Sequence, residues 1–232
     1  MSSEQAVAVV AGVGPGLSAA LCRKLAAAGY AVAGLARHRE VGERLAQEIG
    51  SAGGVMRLFT CDLTDEAELS QAFEAIERDL GVPDVLVYTA GAFLCQSLMD
   101  TQAADFEALW RVNCLGAFLC AQQAVSRMQK RGKGTLIFTG ATSAVKPGAK
   151  FAAFGSSKFA QRGLAQSMAR ELGPQGIHVA HVIIDGVICA QDGDQDSTLK
   201  AEAVADSYLH LIQQDRSAWS FEFDLRPDVE RF

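Results

Sequence analysis

Residues 6–37 decide the fold, and they read AVAVVAGVGPGLSAALCRKLAAAGYAVAGLAR. The run from Ala6 to Ala11 consists of small and β-branched apolar residues, which predicts a strand buried on both faces. A glycine-rich turn, residues 12–16, follows this strand. Behind the turn, leucines recur at helical spacing until Gly29, and a second apolar run extends from Tyr30 to Ala36. A strand, a glycine turn, a helix and a strand within about 30 residues predict a nucleotide-binding βαβ unit.

The glycines of the turn are the first candidate binding positions. Gly12, Gly14 and Gly16 allow the backbone to approach a diphosphate closely, because they carry no side chain. The helix that starts at about Leu17 offers unpaired N–H groups and the positive end of its dipole to the same anion. Glycines also close turns that bind nothing, so the prediction depends on the strand and the helix on either side.

Length and composition favour one globular α/β domain spanning residues 1–232. Apolar residues make up 49% of the 232 and charged residues 21%, as in ordinary globular proteins. A net charge of −6 argues against nucleic acid or an anionic membrane surface as a partner. No apolar run approaches the roughly 20 residues that span a bilayer, and residues 1–5 lack the pattern of a secretory signal. We therefore expect a cytoplasmic protein.

The cysteines and histidines do not indicate a metal centre. None of the six cysteines forms a C-x-x-C pair and most lie in apolar runs, so we expect buried, reduced thiols. The four histidines are not spaced as metal ligands, and we expect no metal site.

Strands and helices alternate along the rest of the chain. The predicted strands are Ala6–Ala11, Tyr30–Ala36, Val55–Thr60, Val82–Thr89, Gly134–Thr139, Ile177–Ile184 and Trp219–Leu225. The predicted helices are Leu17–Ala28, Val41–Ile49, Asp65–Leu80, Ala104–Lys130, Phe151–Leu172 and Leu199–Gln213. This order predicts a single doubly wound parallel sheet of six to seven strands, with helices on both faces and ligands outside the carboxyl ends of the strands.

With these elements placed, the chain resembles the short-chain dehydrogenase/reductase family, which has a Rossmann-type fold, along nearly its whole length. Gly12 and Gly16 fit the first two glycines of the family's Thr-Gly-x-x-x-Gly-x-Gly turn. Ala11 stands at the threonine and Ser18 at the third glycine.

Further matches are spread through the sequence. Asp62 matches the acid that meets the adenine ring, and Ala90-Gly91 match the end of an Asn-Asn-Ala-Gly motif whose asparagines are replaced here by Tyr88 and Thr89. Two more positions match catalytic residues of the family, Asn113 in a long helix and Lys158 of the Tyr-x-x-x-Lys motif. By the same resemblance, the lysine also holds the nicotinamide ribose, and the backbone at Ile188 contacts the nicotinamide carboxamide.

The end of the second strand bears on the form of the cofactor. An acid at this position would bond a free ribose 2′-hydroxyl and repel a 2′-phosphate, but the chain has Leu35-Ala36-Arg37-His38-Arg39. A guanidinium can pair with a phosphate through two charge-assisted hydrogen bonds. Arg37 therefore favours NADP(H) over NAD(H). The alternative is that Arg37 and Arg39 are solvated residues at a helix start.

The resemblance leaves the catalytic hydroxyl unaccounted for. Phe154 stands four residues before Lys158, where the family has the tyrosine that protonates the substrate oxygen, and phenylalanine has no proton to give. Ala141 stands at the family's serine, so that Thr142 and Ser143 become candidates for its role. Other groups that could supply the proton are Tyr88, Lys146 and Lys150.

Asp185, at the end of the sixth strand, stands where the family usually has proline. It could take part in proton transfer near the nicotinamide, or only form the turn before Gly186.

The sequence therefore leaves three hypotheses. The first is an atypical NADP(H)-dependent oxidoreductase that acts on a small carbonyl, alcohol or activated alkene. The second is a catalytically degenerate relative that binds NADP(H) as a sensor or partner protein, and the third is a pocket for another ligand. Apolar residues in the helices around Asn113 and Phe159 make a homodimer or homotetramer plausible.

Overall fold

The computed structural model describes residues 5–189 and 198–230. Its central sheet has seven strands in the order β3-β2-β1-β4-β5-β6-β9, and every neighbouring pair is parallel. The strands of this sheet are β1 (Val7–Ala11), β2 (Ala31–Ala36), β3 (Val55–Thr60), β4 (Pro83–Tyr88), β5 (Gly134–Thr139), β6 (Ile177–Ile184) and β9 (Glu222–Leu225). Two short strands, β7 (Val187–Cys189) and β8 (Thr198–Lys200), pair with each other outside it.

Helices cover both faces of the sheet. They are α1 (Leu17–Ala27), α2 (Glu40–Ser51), α3 (Glu66–Asp79), α4 (Ala103–Trp110), α5 (Gly116–Met128), α6 (Ala152–Leu172) and α7 (Ala201–Ile212). Strand β1 faces both layers, with Val7 and Val9 in one apolar cluster and Ala8 and Val10 in the other. The predicted doubly wound parallel sheet is confirmed.

The predicted helix from Ala104 to Lys130 is wrong in detail. A π-helical segment, Arg111–Leu115, separates α4 from α5, and a 3₁₀ turn follows α5. A Cβ at Gly116 would lie 2.5 Å from the Tyr88 hydroxyl oxygen, so β4 and the start of α5 are in very close contact here. A π segment inserts one residue into the helix and turns the side chains after it. Asn113 lies in this segment.

The predictions at the C-terminal end were too long. The region predicted as a helix from Leu199 begins as strand β8, and α7 starts only at Ala201. Strand β9 begins at Glu222 instead of Trp219, and a 3₁₀ turn at Arg216–Ala218, capped by Asp215, precedes it. The Trp219 ring instead stacks on His178, with the ring centroids 4.9 Å apart.

A buried polar network attaches β9 to the sheet. The His181 Nδ1–H donates to Glu222 Oε2 over 2.9 Å, and Arg162 of α6 bonds both oxygens of Glu222 over 2.7 and 2.8 Å. The His181 side chain is fully buried, and its Nε2 atom has no hydrogen-bond partner among the residues that the structure describes. Burial lowers the pKa of His181, although the Glu222 carboxylate acts in the opposite direction. The imidazole is therefore neutral in the folded protein.

Two general expectations can be compared with the described residues. None of their helices is long and apolar enough to cross a membrane, and they contain no cluster of metal-ligating side chains. Cys22, Cys61, Cys114 and Cys120 are buried and free, as expected, whereas Cys95 is exposed.

Acidification is expected to weaken the fold through His181. Because its pKa is below 6.5 when folded, the unfolded chain binds more protons and stability falls as the pH drops through this value. We expect His181→Gln to reduce the difference in the free energy of unfolding between pH 7.5 and pH 5.5, as measured with urea. His210→Gln changes an exposed ring and serves as the control. Equal pH dependence in all three proteins would contradict the prediction.

Candidate active site

A cleft of about 540 Å³ opens at the carboxyl ends of β1, β2 and β4. This is the position at which ligands bind in open parallel sheets. Its lining includes Gly12, Gly14, Arg37, Asp62, Ala90 and Gly91, all predicted cofactor contacts. Four predicted contacts do not line it, namely Gly16, Leu17, Lys158 and Ile188.

The glycine turn is fixed by close contact with the end of β4. Gly12 has a φ angle of +100°, and a Cβ there would lie 2.5 Å from the Ala90 nitrogen. The amides of Gly12 and Val13 both donate to the Leu35 carbonyl over 2.9 Å. The amides of Thr89 and Ala90 both donate to the Ala11 carbonyl. These contacts keep the floor of the cleft free of side chains at Gly12.

The start of α1 follows the turn directly. Gly16 is the N-cap and no side chain caps the helix, while the Leu17 side chain is buried in the core. Ser18, at the family's third glycine, bonds to the turn itself. Its hydroxyl accepts from the Gly14 amide over 2.8 Å and donates to the Gly14 carbonyl over 3.1 Å. The helix N-terminus lies beside Pro15, which lines the cleft.

Charged side chains surround the far end of the cleft, near β2 and β3. Asp62 Oδ1 accepts from the amide and the hydroxyl of Thr64, over 2.8 and 2.9 Å. These bonds, with smaller contributions from Arg37 and Arg111, hold the pKa of Asp62 below its ordinary value. Arg37 is exposed and lines the cleft.

Arg111 was missed by the sequence analysis. It lines the same cleft from the π-helical segment, and its guanidinium donates to the Thr64 carbonyl over 3.4 Å. Its position two residues before Asn113 was the signal that could have identified it.

Asn113 does not line the cleft but lies behind Gly91, which does. Its side chain is fully buried. The Asn113 Oδ1 atom accepts from the Ala92 amide over 2.9 Å, and its Nδ2 atom donates to the Ala92 carbonyl over 3.0 Å. The Asn113 Nδ2 atom also donates to Ser157 Oγ over 2.8 Å, and Ser157 donates to the Phe154 carbonyl. Asn113 therefore fixes the loop after β4 against α6.

Lys158 approaches the same point from α6. A Cβ at Gly91 would lie 3.8 Å from Lys158 Nζ and 3.4 Å from Asn113 Oδ1. Lys158 Nζ donates to the Thr139 carbonyl over 2.9 Å. Burial of the ammonium lowers the pKa of Lys158 to about 8. Asn113 and Lys158, far apart in sequence, are thus brought together beside Gly91.

Thr142 and Ser143 lie in a 3₁₀ turn after β5. The Thr142 hydroxyl donates to Asp185 and, over 3.4 Å, to the Ile184 carbonyl. Ser143 is buried. Asp185 is also buried, and its carboxylate pairs with Arg226 at 3.4 Å. Asp185 thus joins the 3₁₀ turn to the residue that follows β9, a contact that the sequence analysis missed.

The other predicted site residues lie in β7, in the core and at the surface. Ile188 is partly buried in β7, where it pairs with Leu199. Tyr88 is buried in the core and its hydroxyl donates to the Val112 carbonyl over 2.6 Å, so it does not face the cleft as a proton donor. Lys146 and Lys150 are exposed.

The Phe154 ring belongs to an aromatic cluster, which we define as Phe93, Phe151 and Phe154. The ring centroid of Phe93 lies 5.0 Å from that of Phe154 and 5.6 Å from that of Phe151. Phe151 and Phe154 are 6.2 Å apart. Phe93 belongs to the loop after Gly91 and is 66% exposed. The cluster therefore places an apolar surface beside Lys158, one helical turn before it.

Comparison with known proteins identifies the class. The family model of the short chain dehydrogenases matches residues 6–196. A short-chain dehydrogenase/reductase of Armillaria gallica is 36% identical over 181 residues, which are 76% of this chain and 69% of the relative. The chain therefore belongs to the short-chain dehydrogenase/reductase family of oxidoreductases.

Two solved structures are similar over almost their whole length. A short-chain dehydrogenase from Rhodopseudomonas palustris has 36% identity and a TM-score of 0.84, and the match covers 95% of this chain and 98% of that one. A metagenomic short-chain oxidoreductase, solved in complex with NADP, has 27% identity and a TM-score of 0.86, with 98% and 100% coverage.

Adding one methyl group at Gly12 is expected to destabilise the site. We expect Gly12→Ala to lower the free energy of unfolding by at least about 1–3 kcal/mol, because of its positive φ and the contact with Ala90. Gly163→Ala in α6 is the control. It has open space around it and should be more stable than the natural chain by about 0.5–1 kcal/mol. Urea unfolding measures both, and equal stability of the two variants would contradict the close contact.

Proposed function

We propose that this protein is an NADP(H)-dependent oxidoreductase that interconverts a small carbonyl compound and its alcohol. The observation that supports this most strongly is the convergence of Asn113 and Lys158 at Gly91, at one end of a cleft that begins at the glycine turn. The single-domain reading and the cytoplasmic location are parts of the same proposal.

The residues present fit a dinucleotide. Gly12 keeps the cleft floor free of side chains, and the uncapped start of α1 offers N–H groups to a diphosphate. We assign the diphosphate to Gly12, Gly14, Gly16 and Leu17, the 2′-phosphate to Arg37, and the adenine to Asp62. We assign the nicotinamide end to Ala90, Gly91, Lys158 and Ile188. When bound, the reduced cofactor supplies a hydride.

The preference for NADP(H) has two supports. Arg37 lines the cleft as an exposed guanidinium, with no carboxylate at the end of β2 to repel a phosphate. The metagenomic relative was solved in complex with NADP.

On the substrate side, the chain contributes a fixed amide and a buried amine. Asn113 holds the loop that carries Gly91, and Lys158 places a cation where the substrate oxygen gains negative charge. Thr142 and Ser143 are the hydroxyls nearest in sequence to the family's serine position.

A second candidate function is a catalytically degenerate protein that binds NADP(H) as a sensor or partner. Phe154 favours this reading, because it stands in place of the family's tyrosine and packs into an apolar cluster. Retention of Lys158 is compatible with both functions, since ribose binding would also use it.

We also propose that the protein assembles as a homodimer or homotetramer. Four large apolar side chains of α4, α5 and α6 are exposed, each to about two fifths, namely Phe106, Trp110, Phe118 and Phe159. Pairing of these helices between copies would bury them.

Arg37 is expected to decide between the two cofactors. Titration followed by fluorescence should show tighter binding of NADPH than of NADH to the natural chain. Arg37→Asp should shift this preference toward NADH, because a carboxylate repels the 2′-phosphate. Arg39→Asp is a matched control, since Arg39 pairs with Glu43 and does not line the cleft. An unchanged ratio in Arg37→Asp would remove the phosphate assignment, and no binding of either cofactor would refute both candidate functions.

Phe154 separates the enzyme from the degenerate protein. We expect the natural chain to reduce small carbonyl compounds slowly and Phe154→Tyr to reduce them up to about 10²-fold faster, since a positioned acid contributes about 10² to 10⁴ in rate. Phe151→Tyr adds a hydroxyl to the same aromatic cluster away from the tyrosine position and should have no such effect. Activity that appears only in Phe154→Tyr would favour the sensor or partner protein. The measurement is NADPH oxidation at 340 nm across a carbonyl panel.

A further inference from the structure

Resting on the proposed function, we infer that Lys158 itself is the acid that protonates the substrate oxygen. Phe154 has no hydroxyl that could donate this proton, so in this chain the Lys158 ammonium donates it directly. Lys158 is then a catalytic residue and not only a ribose ligand.

The position of the ammonium supports this role. One of its three N–H groups is used by the Thr139 carbonyl, which lies at the end of β5. The Nζ atom is 3.8 Å from the point that a Cβ on Gly91 would occupy, and Gly91 lines the cleft. Lys158 itself is buried and does not line the cleft, so Nζ lies directly behind the backbone of Gly91 in the cleft wall.

The other nearby polar groups are less suited to give up a proton. Both amide atoms of Asn113 are bonded to Ala92, and Nδ2 bonds Ser157 as well. The Thr142 hydroxyl is used by Asp185, and the Tyr88 hydroxyl by Val112. The buried hydroxyl of Ser143 is a far weaker acid than an ammonium group. Of these described polar groups near Gly91, the Lys158 ammonium gives up a proton most readily, and it is not paired with a carboxylate.

The surroundings of Lys158 make its proton transferable near neutral pH. Burial lowers the pKa of Lys158 to about 8, in the range that suits a general acid at physiological pH. From β6, the titratable neighbour is His181, whose pKa is lowered mainly by burial and also by the charge of Lys158, so that the imidazole is neutral. On α6, Arg162 is one turn further along and pairs with Glu222 of β9. Within residues 5–189 and 198–230, no carboxylate is bonded to Lys158 to hold its proton.

The step balances as follows. The carbonyl carbon accepts a hydride from the reduced nicotinamide cofactor, and the carbonyl oxygen takes a proton from Lys158 Nζ. The C=O double bond becomes a single bond, an O–H bond forms and one N–H bond of the ammonium breaks. The neutral amine then recovers its proton from water.

The decisive variant is Lys158→Arg, because a guanidinium keeps the positive charge but holds its proton too strongly to donate it. We expect Lys158→Arg to lose about 10² or more in kcat/KM for carbonyl reduction, a larger factor than any loss of affinity for NADPH measured in the same variant. Lys130→Arg, an exposed residue, is the control and should change neither quantity.

The pH dependence gives the second measurement. In the natural chain, kcat/KM for reduction should fall above a pH of about 8, as the ammonium loses its proton. The Cε resonance of Lys158 in ¹³C-labelled protein, assigned by its absence in Lys158→Arg, should titrate with the same midpoint. In Phe154→Tyr the pH above which kcat/KM falls should change, because the phenol then supplies the proton. The Cε resonance of Lys158 should still titrate in this variant.

Each alternative outcome refutes a distinct statement. A Lys158→Arg enzyme that reduces as fast as the natural chain, or a Cε midpoint above about 10, would overturn this inference and leave the proposed function intact. Activity in Phe154→Tyr with none in the natural chain would also overturn it. If neither protein reduces any carbonyl compound, the proposed function fails as well.

Discussion

The close approach of two backbone turns, at Gly12 and Ala90, is the constraint on which the rest of the molecule depends. A Cβ at Gly12 would lie 2.5 Å from the Ala90 nitrogen, so only glycine fits between the ends of β1 and β4. Shared hydrogen bonds to the Ala11 and Leu35 carbonyls hold the turns in this position. The cleft follows directly, since its floor consists of these turns and Gly91 comes next in the chain. A bulkier residue at Gly12 would force these two turns apart.

A continuous set of hydrogen bonds connects this floor to α6. Asn113 bonds the loop after β4 and Ser157, and Ser157 bonds the Phe154 carbonyl. Lys158 is fixed by Thr139 at the end of β5. Asn113 and Lys158 are therefore held in one hydrogen-bonded framework, with the Phe154 ring in the aromatic cluster beside it. This combination of an ordered amine and an apolar neighbour underlies both candidate functions.

Much of the fold followed from the sequence because its signals are local. The alternation of apolar runs with helical spacing predicted all seven strands of the main sheet, and the glycine turn after Ala11 indicated the cleft. The parts that were missed depend on contacts between distant residues. The π-helical segment at Asn113 accompanies the contact of Gly116 with Tyr88. The pairing of Asp185 with Arg226, and of His181 with Glu222, joins the end of the chain to β6 and has no signature in either local sequence.

Ser18 restricts the conformational freedom of the glycine turn. Its hydroxyl bonds both the amide and the carbonyl of Gly14, and so closes the loop upon itself. A glycine at this position would leave the segment with more conformations in the free protein. Here the loop loses that freedom when the chain folds, and association needs little further ordering. The entropy of ordering this turn is therefore part of the cost of folding and not of association.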